Sequence, residues 1–157
     1  MMENVQAEQV AGILLKYDPQ KPSAAADELR NLWLQVDPKS IEVIKASLRE
    51  QQETLGIPVP VLKSIGKEIS KAAKDQADDY LPLVQLLWDE YGREGRVVAT
   101  IPMGAMELAN PEKVVPLLRD MCRTCLTWED ADRLAMDALE PVVRKKPAEW
   151  LRAPASW

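Results

Sequence analysis

Thr127-Trp128-Glu129-Asp130-Ala131-Asp132-Arg133-Leu134-Ala135-Met136-Asp137-Ala138-Leu139-Glu140-Pro141-Val142, the centre of a stretch from Met121 to Leu151, reads as a helix from its first residue. Thr127 is a good N-cap, and Asp130 three residues on completes a Thr-x-x-Asp variant of the capping box. At about 100° of rotation per residue, Ala131, Ala135, Ala138, Leu139 and Val142 share one side, and Glu129, Asp130, Arg133, Asp137, Glu140 and Arg144 share the other. Asp132 belongs to neither set. It follows Trp128 by one turn and lies about 80° from the centre of the apolar stripe, at its edge beside the indole. A carboxylate half out of water against an aromatic face suits the stabilisation of a cation. The plainer alternative is an indole packed at a helix start, with an exposed aspartate next to it.

The same periodicity recurs on both sides of this stretch, with Gly, Pro, Asn and Asp as punctuation. Upstream it predicts helices ending near Tyr17, from Ala24 to Leu34, and from Pro38 to Leu55 with Gly56 as the stop. Further helices begin near Val59, run from Asp78 to Tyr91 and from Arg93 to Leu108, and run from an Asn110 cap with Pro111 at the first position to Cys125. Pro102 and Gly104 are expected to kink or split the sixth helix, and Pro141 to bend the eighth. A last turn follows Pro147. No segment is both β-branched-rich and alternating, so no sheet is expected. The predicted fold is all-α: antiparallel helix pairs stacked as a HEAT-like α-solenoid, with a plain bundle as the alternative.

A chain of 157 residues buries enough surface for a core without disulfide or metal. No signal peptide and no long apolar run are present, so the expectation is a cytoplasmic protein with no membrane partner. Histidine is absent. The usual general base and the commonest metal ligand are therefore missing, and acid, base or charge-stabilising roles fall to other side chains. The net charge of −5 gives no global attraction for nucleic acid. A local strip of Lys63, Lys67, Lys71 and Lys74 along the fourth helix is either a weak phosphate-binding surface or a solvated face. Cys122-Arg123-Thr124-Cys125 has CxxC spacing, but it lies at a helix end and the chain offers no other cysteine and no histidine for zinc. Two core-facing thiols, with no metal and no cofactor, are expected.

Three segments resemble the DNA alkylation repair family of HEAT-like proteins, the AlkD-like glycosylases. Leu55-Gly56-Ile57-Pro58 followed by Val59-Pro60-Val61-Leu62-Lys63 is similar to that family's Gly-Ile/Val, spacer, Pro and basic helix. Leu86-Leu87-Trp88-Asp89 with Arg93-Glu94-Gly95-Arg96-Val97-Val98-Ala99 is similar to its Leu-Trp segment and Glu-x-Arg-x-x-Ala helix. Trp128 to Asp132 matches its Trp-x-x-x-Asp, with Lys146-Pro147 at the downstream Lys-x-Pro position.

The resemblance implies that Trp128 and Asp132 face the deoxyribose of an N3- or N7-alkylated purine nucleotide in duplex DNA, the carboxylate supporting positive charge as the base departs. It also implies one helical-repeat domain, residues 1–157, shorter than the family, since the family's second aromatic and DNA-contacting arginine lie in later helices. An apolar face near Trp150 and Trp157 is then a surface for self-association. The competing expectation is a non-catalytic scaffold that binds a protein partner or DNA.

Overall fold

The computed structural model describes residues 2–48, 54–152 and 155. Its helices are α1 (Met2–Leu15), α2 (Pro22–Trp33), α3 (Pro38–Leu48), α4 (Val59–Ala73), α5 (Ala77–Glu90), α6 (Gly92–Ala109) and α7 (Pro111–Arg123). Then come α8 (Trp128–Arg133), a π-helical segment (Leu134–Leu139), α9 (Glu140–Lys145) and α10 (Pro147–Trp150). Among the described residues there is no strand, and no helix is long and apolar enough to cross a membrane.

Proline sets many of the helix starts. Pro22, Pro38, Pro111 and Pro147 each open a helix, where their fixed φ suits the first turn and a missing N–H costs nothing. The helices form two rows. One runs α1, α4, α6 and the π segment, each packed on the next, and the other runs α2, α5 and α7. Helix α6 is central, touching α4, α5, α7, α8, the π segment and α9. The core between the rows is built on Leu29, Trp33, Leu62, Ile65, Leu83, Trp88, Met103 and Leu118, all essentially inaccessible.

Four expectations are corrected. Helix α3 ends at Leu48, and Thr54 to Pro58 are not helical; residues 49–53 of the predicted span lie outside the described residues. Asn110 makes no side-chain cap bond at the start of α7. Trp150 is buried and packed into the core rather than standing on an exposed end face, and Trp157 lies outside the described residues. Finally, of the kink or split expected at Pro102, the split does not occur, since α6 runs unbroken through it.

The tolerance of Pro102 has a local cause that appears twice. Proline offers no N–H to the carbonyl four residues earlier, which for Pro102 is that of Val98. That oxygen faces Gly66 of α4, where an added Cβ would lie 3.1 Å from it and 2.7 Å from Ile101. Pro141 likewise supplies no donor to the carbonyl of Asp137, which faces Gly104 of α6, where a Cβ would lie 2.8 Å away. A bare glycine thus lets the neighbouring helix close on each carbonyl. The π-helical turn at Leu134–Leu139 ends two residues before Pro141, where widening separates the ring from the preceding turn. Gly66, Val98 and Pro102 correspond in order to Gly104, Asp137 and Pro141, offset by 38 or 39 residues.

Candidate functional site: the start of α8 and the arginines beneath it

Helix α8 begins where the sequence predicts. Thr127 has extended backbone, and its side-chain oxygen accepts from the Asp130 N–H at 3.2 Å. The buried face of the helix is the predicted one only in its second half, where Ala138 and Val142 are buried and Leu139 packs against the core. Glu129, Asp130, Leu134, Ala138 and Val142 are buried, whereas Ala131 and Ala135 are exposed. Two acids assigned to solvent are therefore inside, and the remainder of the buried side follows i, i+4 spacing through the π segment.

Arginines of α6 explain the inversion. Arg93, itself buried, donates from Nε to Glu129 Oε1 at 2.7 Å and from Nη2 to Glu129 Oε2 at 3.3 Å, a two-point fork. Its Nη1 donates to the Ile57 carbonyl at 2.9 Å and also reaches Thr54 Oγ1 and Glu94 Oε1, both at 3.3 Å. One turn further along α6, Arg96 Nη1 donates to Asp130 Oδ2 at 2.5 Å and to the Thr124 carbonyl at 3.1 Å. The Arg96 guanidinium carbon also lies 4.5 Å from the ring centroid of Trp88, a cation–π contact. Trp88 Nε1 donates to Thr124 Oγ1 at 2.9 Å, so this buried indole is satisfied as well. Asp130 Oδ2 additionally accepts the Leu126 N–H at 2.9 Å.

Glu94 extends the same network to the loop before α4. Its Oε1 accepts from the backbone N–H of Leu55 at 3.0 Å, of Gly56 at 3.1 Å and of Ile57 at 3.5 Å, and from the Thr54 hydroxyl. Gly56 has φ +81°, and a Cβ there would lie 2.4 Å from the Ile41 carbonyl, so only glycine fits this corner. The loop, the first turns of α6 and the start of α8 are thus tied together by charged groups that lie out of water.

Above this buried layer stand the predicted site residues. Trp128 is 58% exposed, and Asp132, one turn later, is exposed too. The aspartate is therefore more open than its expected place at the edge of an apolar stripe, because that stripe lies elsewhere on the helix. Residues four apart are neighbours on a helix surface, so indole and carboxylate share one solvent-facing strip. Met136, also 58% exposed, continues it, and Leu126 is exposed just before the helix. Arg133 Nη1 lies 3.9 Å from Asp137 Oδ2, which accepts from Thr100 Oγ1 at 3.2 Å.

The lysine strip is on α4, across α6 from α8. Lys67, Lys71 and Lys74 are exposed and Lys63 is half-buried; Lys71 Nζ pairs with Glu68 Oε1 at 2.6 Å. A cleft of about 940 Å³ between α2, α3 and the α5–α6 junction has Asp27, Arg30, Glu42, Lys45 and Tyr91 on its walls and reaches the ionic network at Thr54, Leu55, Arg93 and Glu94; neither Trp128 nor Asp132 lines it. Cys122 and Cys125 are half-buried free thiols, both pushed up from the ordinary thiol range chiefly by burial. No group of three or more acids and cysteines able to hold a metal occurs among the described residues.

Sequence reasoning missed Arg93, Arg96, Glu129 and Asp130 as structural partners. The available signal was a pair of arginines three residues apart at the start of a largely apolar helix, matched in number by two adjacent acids at a later helix start. The DNA alkylation repair enzyme family model matches residues 28–157, and the chain belongs to that family. No curated protein and no solved structure shows a significant match to it.

Proposed function

We propose that the chain is a HEAT-like α-solenoid, formed as one helical-repeat domain, that excises N3- or N7-alkylated purines from duplex DNA. The observation that carries this reading is the solvent-facing pair Trp128 and Asp132, held over a buried ionic layer at the start of α8. Membership of a DNA alkylation repair family supports the DNA-repair role.

The chemistry follows from the leaving group. An alkylated purine is already cationic, so breaking the C1′–N bond sends its electron pair onto the ring and leaves a neutral base. Positive charge moves to the sugar as an oxocarbenium, and water then adds to C1′ and gives up a proton. Asp132 is the group that stabilises this charge, and its carboxylate is the acceptor within reach for that proton. Trp128 lays an apolar surface against the sugar. Docking of DNA displaces water from the strip, which strengthens the carboxylate's field at C1′ relative to the free protein. Lys63, Lys67 and Lys74 supply weak phosphate contacts.

The test is release of 7-methylguanine and 3-methyladenine from methylated duplex DNA by wild type and by Asp132→Asn. Release by wild type and its loss in the variant, at equal melting temperature, is expected. A second reading, a non-catalytic docking surface, has the exposed Leu126, Trp128 and Met136 in its favour. No release by either protein, together with DNA binding that does not weaken with salt, would favour it.

A further inference from the structure

We infer that Arg93 and Arg96 are positioning residues for the Trp128–Asp132 pair, setting the rotation of α8 rather than stabilising the fold; this rests on the function proposed above. The residues that bear the site are 128 and 132, and the residues clamped by arginine are the two immediately after Trp128. Two adjacent anchors about 100° apart around the helix fix both its rotation and its position along α6.

Both clamps are themselves held. Every nitrogen of the Arg93 guanidinium is engaged, by Glu129 on one side and by the Ile57 carbonyl, Thr54 and Glu94 on the other. Arg96 is fixed between the Trp88 ring and the Thr124 carbonyl. The clamps therefore transmit the placement of α5, α6 and the loop before α4 to α8.

A stabilising role explains this arrangement poorly. Charges taken out of water gain little over apolar side chains of the same volume, so a buried ionic cluster is weak evidence for a stabilising role. Orientation is what the exposed strip needs. Helix α8 has only one and a half turns before the π segment, and its functional side chains face solvent rather than the core. A rotation of about 20° at a side-chain radius of about 5–6 Å displaces the indole by about 2 Å. Misplacement on the order of 1 Å at a reacting centre costs about 100-fold in rate.

The experiment compares full-length wild type, the apolar pair Arg93→Met with Glu129→Leu made on a Glu94→Gln background so that no buried carboxylate is left without its cation, and Arg96→Lys. Arg96→Lys keeps the charge but removes the planar group that stacks on Trp88 while bridging to Asp130 and Thr124. Each protein is labelled with 5-fluorotryptophan, and the Trp128 fluorine resonance is assigned by its loss in Trp128→Phe. Melting temperature, DNA affinity and the single-turnover rate of 7-methylguanine release at saturating protein are measured alongside. Expected are melting within a few degrees of wild type, unchanged DNA affinity, a displaced or broadened Trp128 resonance, and single-turnover release about 100-fold slower for the apolar pair. A folded variant with wild-type resonance and wild-type release overturns the inference. If the apolar pair fails to fold, Arg96→Lys decides by its resonance. If wild type releases no base, the proposed activity fails while the resonances still decide whether the arginines set α8.

Discussion

Arg93 and Glu129, 36 residues apart in the chain, meet through a two-point fork with both side chains out of water. Removing one member strands the other. Glu129→Ala should therefore lower stability by about 3–5 kcal/mol, whereas Arg93→Met with Glu129→Leu, made with Glu94→Gln to neutralise the second carboxylate that Arg93 faces, should cost far less than either single change. Urea unfolding of the single and double variants measures the difference.

The two aspartates of α8 should behave oppositely. Asp132 is exposed, so Asp132→Asn should leave stability within about 0.5 kcal/mol of wild type and reduce base release by about 2–4 kcal/mol in activation free energy. Asp130 accepts from Arg96 and from the Leu126 N–H, so Asp130→Asn should destabilise by about 1–3 kcal/mol. Thermal melts and base release on the same preparations separate the two.

Glu107 of α6 is buried, and neither of its carboxylate oxygens has a hydrogen-bond partner among the described residues. Burial pushes its pKa from the ordinary 4.5 up to about 8. The folded state thus holds a proton that the unfolded state has released across the interval between those values. Stability associated with the neutral acid is complete below about 4.5 and is lost as pH rises through about 8. Glu107→Met should raise stability by on the order of 1–3 kcal/mol at pH 9 and change it little at pH 5, flattening the profile. Urea unfolding at a series of pH values reads this directly.

Two helical glycines give opposite signs on conversion to alanine. At Gly12 in α1 nothing stands within 4 Å of an added Cβ, so Gly12→Ala should stabilise by about 0.5–1 kcal/mol. At Gly104 the Cβ would lie 2.8 Å from the Asp137 carbonyl, which is backbone, so Gly104→Ala should destabilise by about 1–3 kcal/mol despite the better helix former. Melting temperatures decide both.

Among the α4 lysines, Lys71 is already paired with Glu68. Lys67→Gln with Lys74→Gln should weaken DNA binding at all sequences and reduce the salt slope by up to about 1.8, and Lys71→Gln should change it less. Fluorescence anisotropy of a duplex across a salt series measures this.

Helix positions were legible because apolar spacing and proline are local signals. The Thr127 cap, the sixth helix and the Pro111 start all fall within a residue or two of expectation. The buried side of α8 was not legible. A helix start reading Glu129-Asp130 has the pattern of a wet face, and its partners Arg93 and Arg96 lie more than thirty residues earlier. Ala131 is exposed because Glu129 and Asp130 beside it turn inward, and the π-helical turn from Leu134 then breaks the 100° count that the assignment of Ala135 assumed. Trp128 and Asp132 were singled out by helix rotation and by a motif, and their shared exposure follows from the burial of the two residues that follow the tryptophan.

The two glycine-and-carbonyl contacts give the central row of helices a polarity. Helix α6 presents the proline-freed Val98 carbonyl to Gly66 on one flank and its own Gly104 to the Asp137 carbonyl on the other, so its flanks are complementary rather than alike. Two different mating surfaces on one helix make a head-to-tail joint, the kind that can be repeated without limit along an axis but cannot close on itself by a two-fold. A Gly104-like flank grafted in register onto the far side of such a row would therefore have a defined seat.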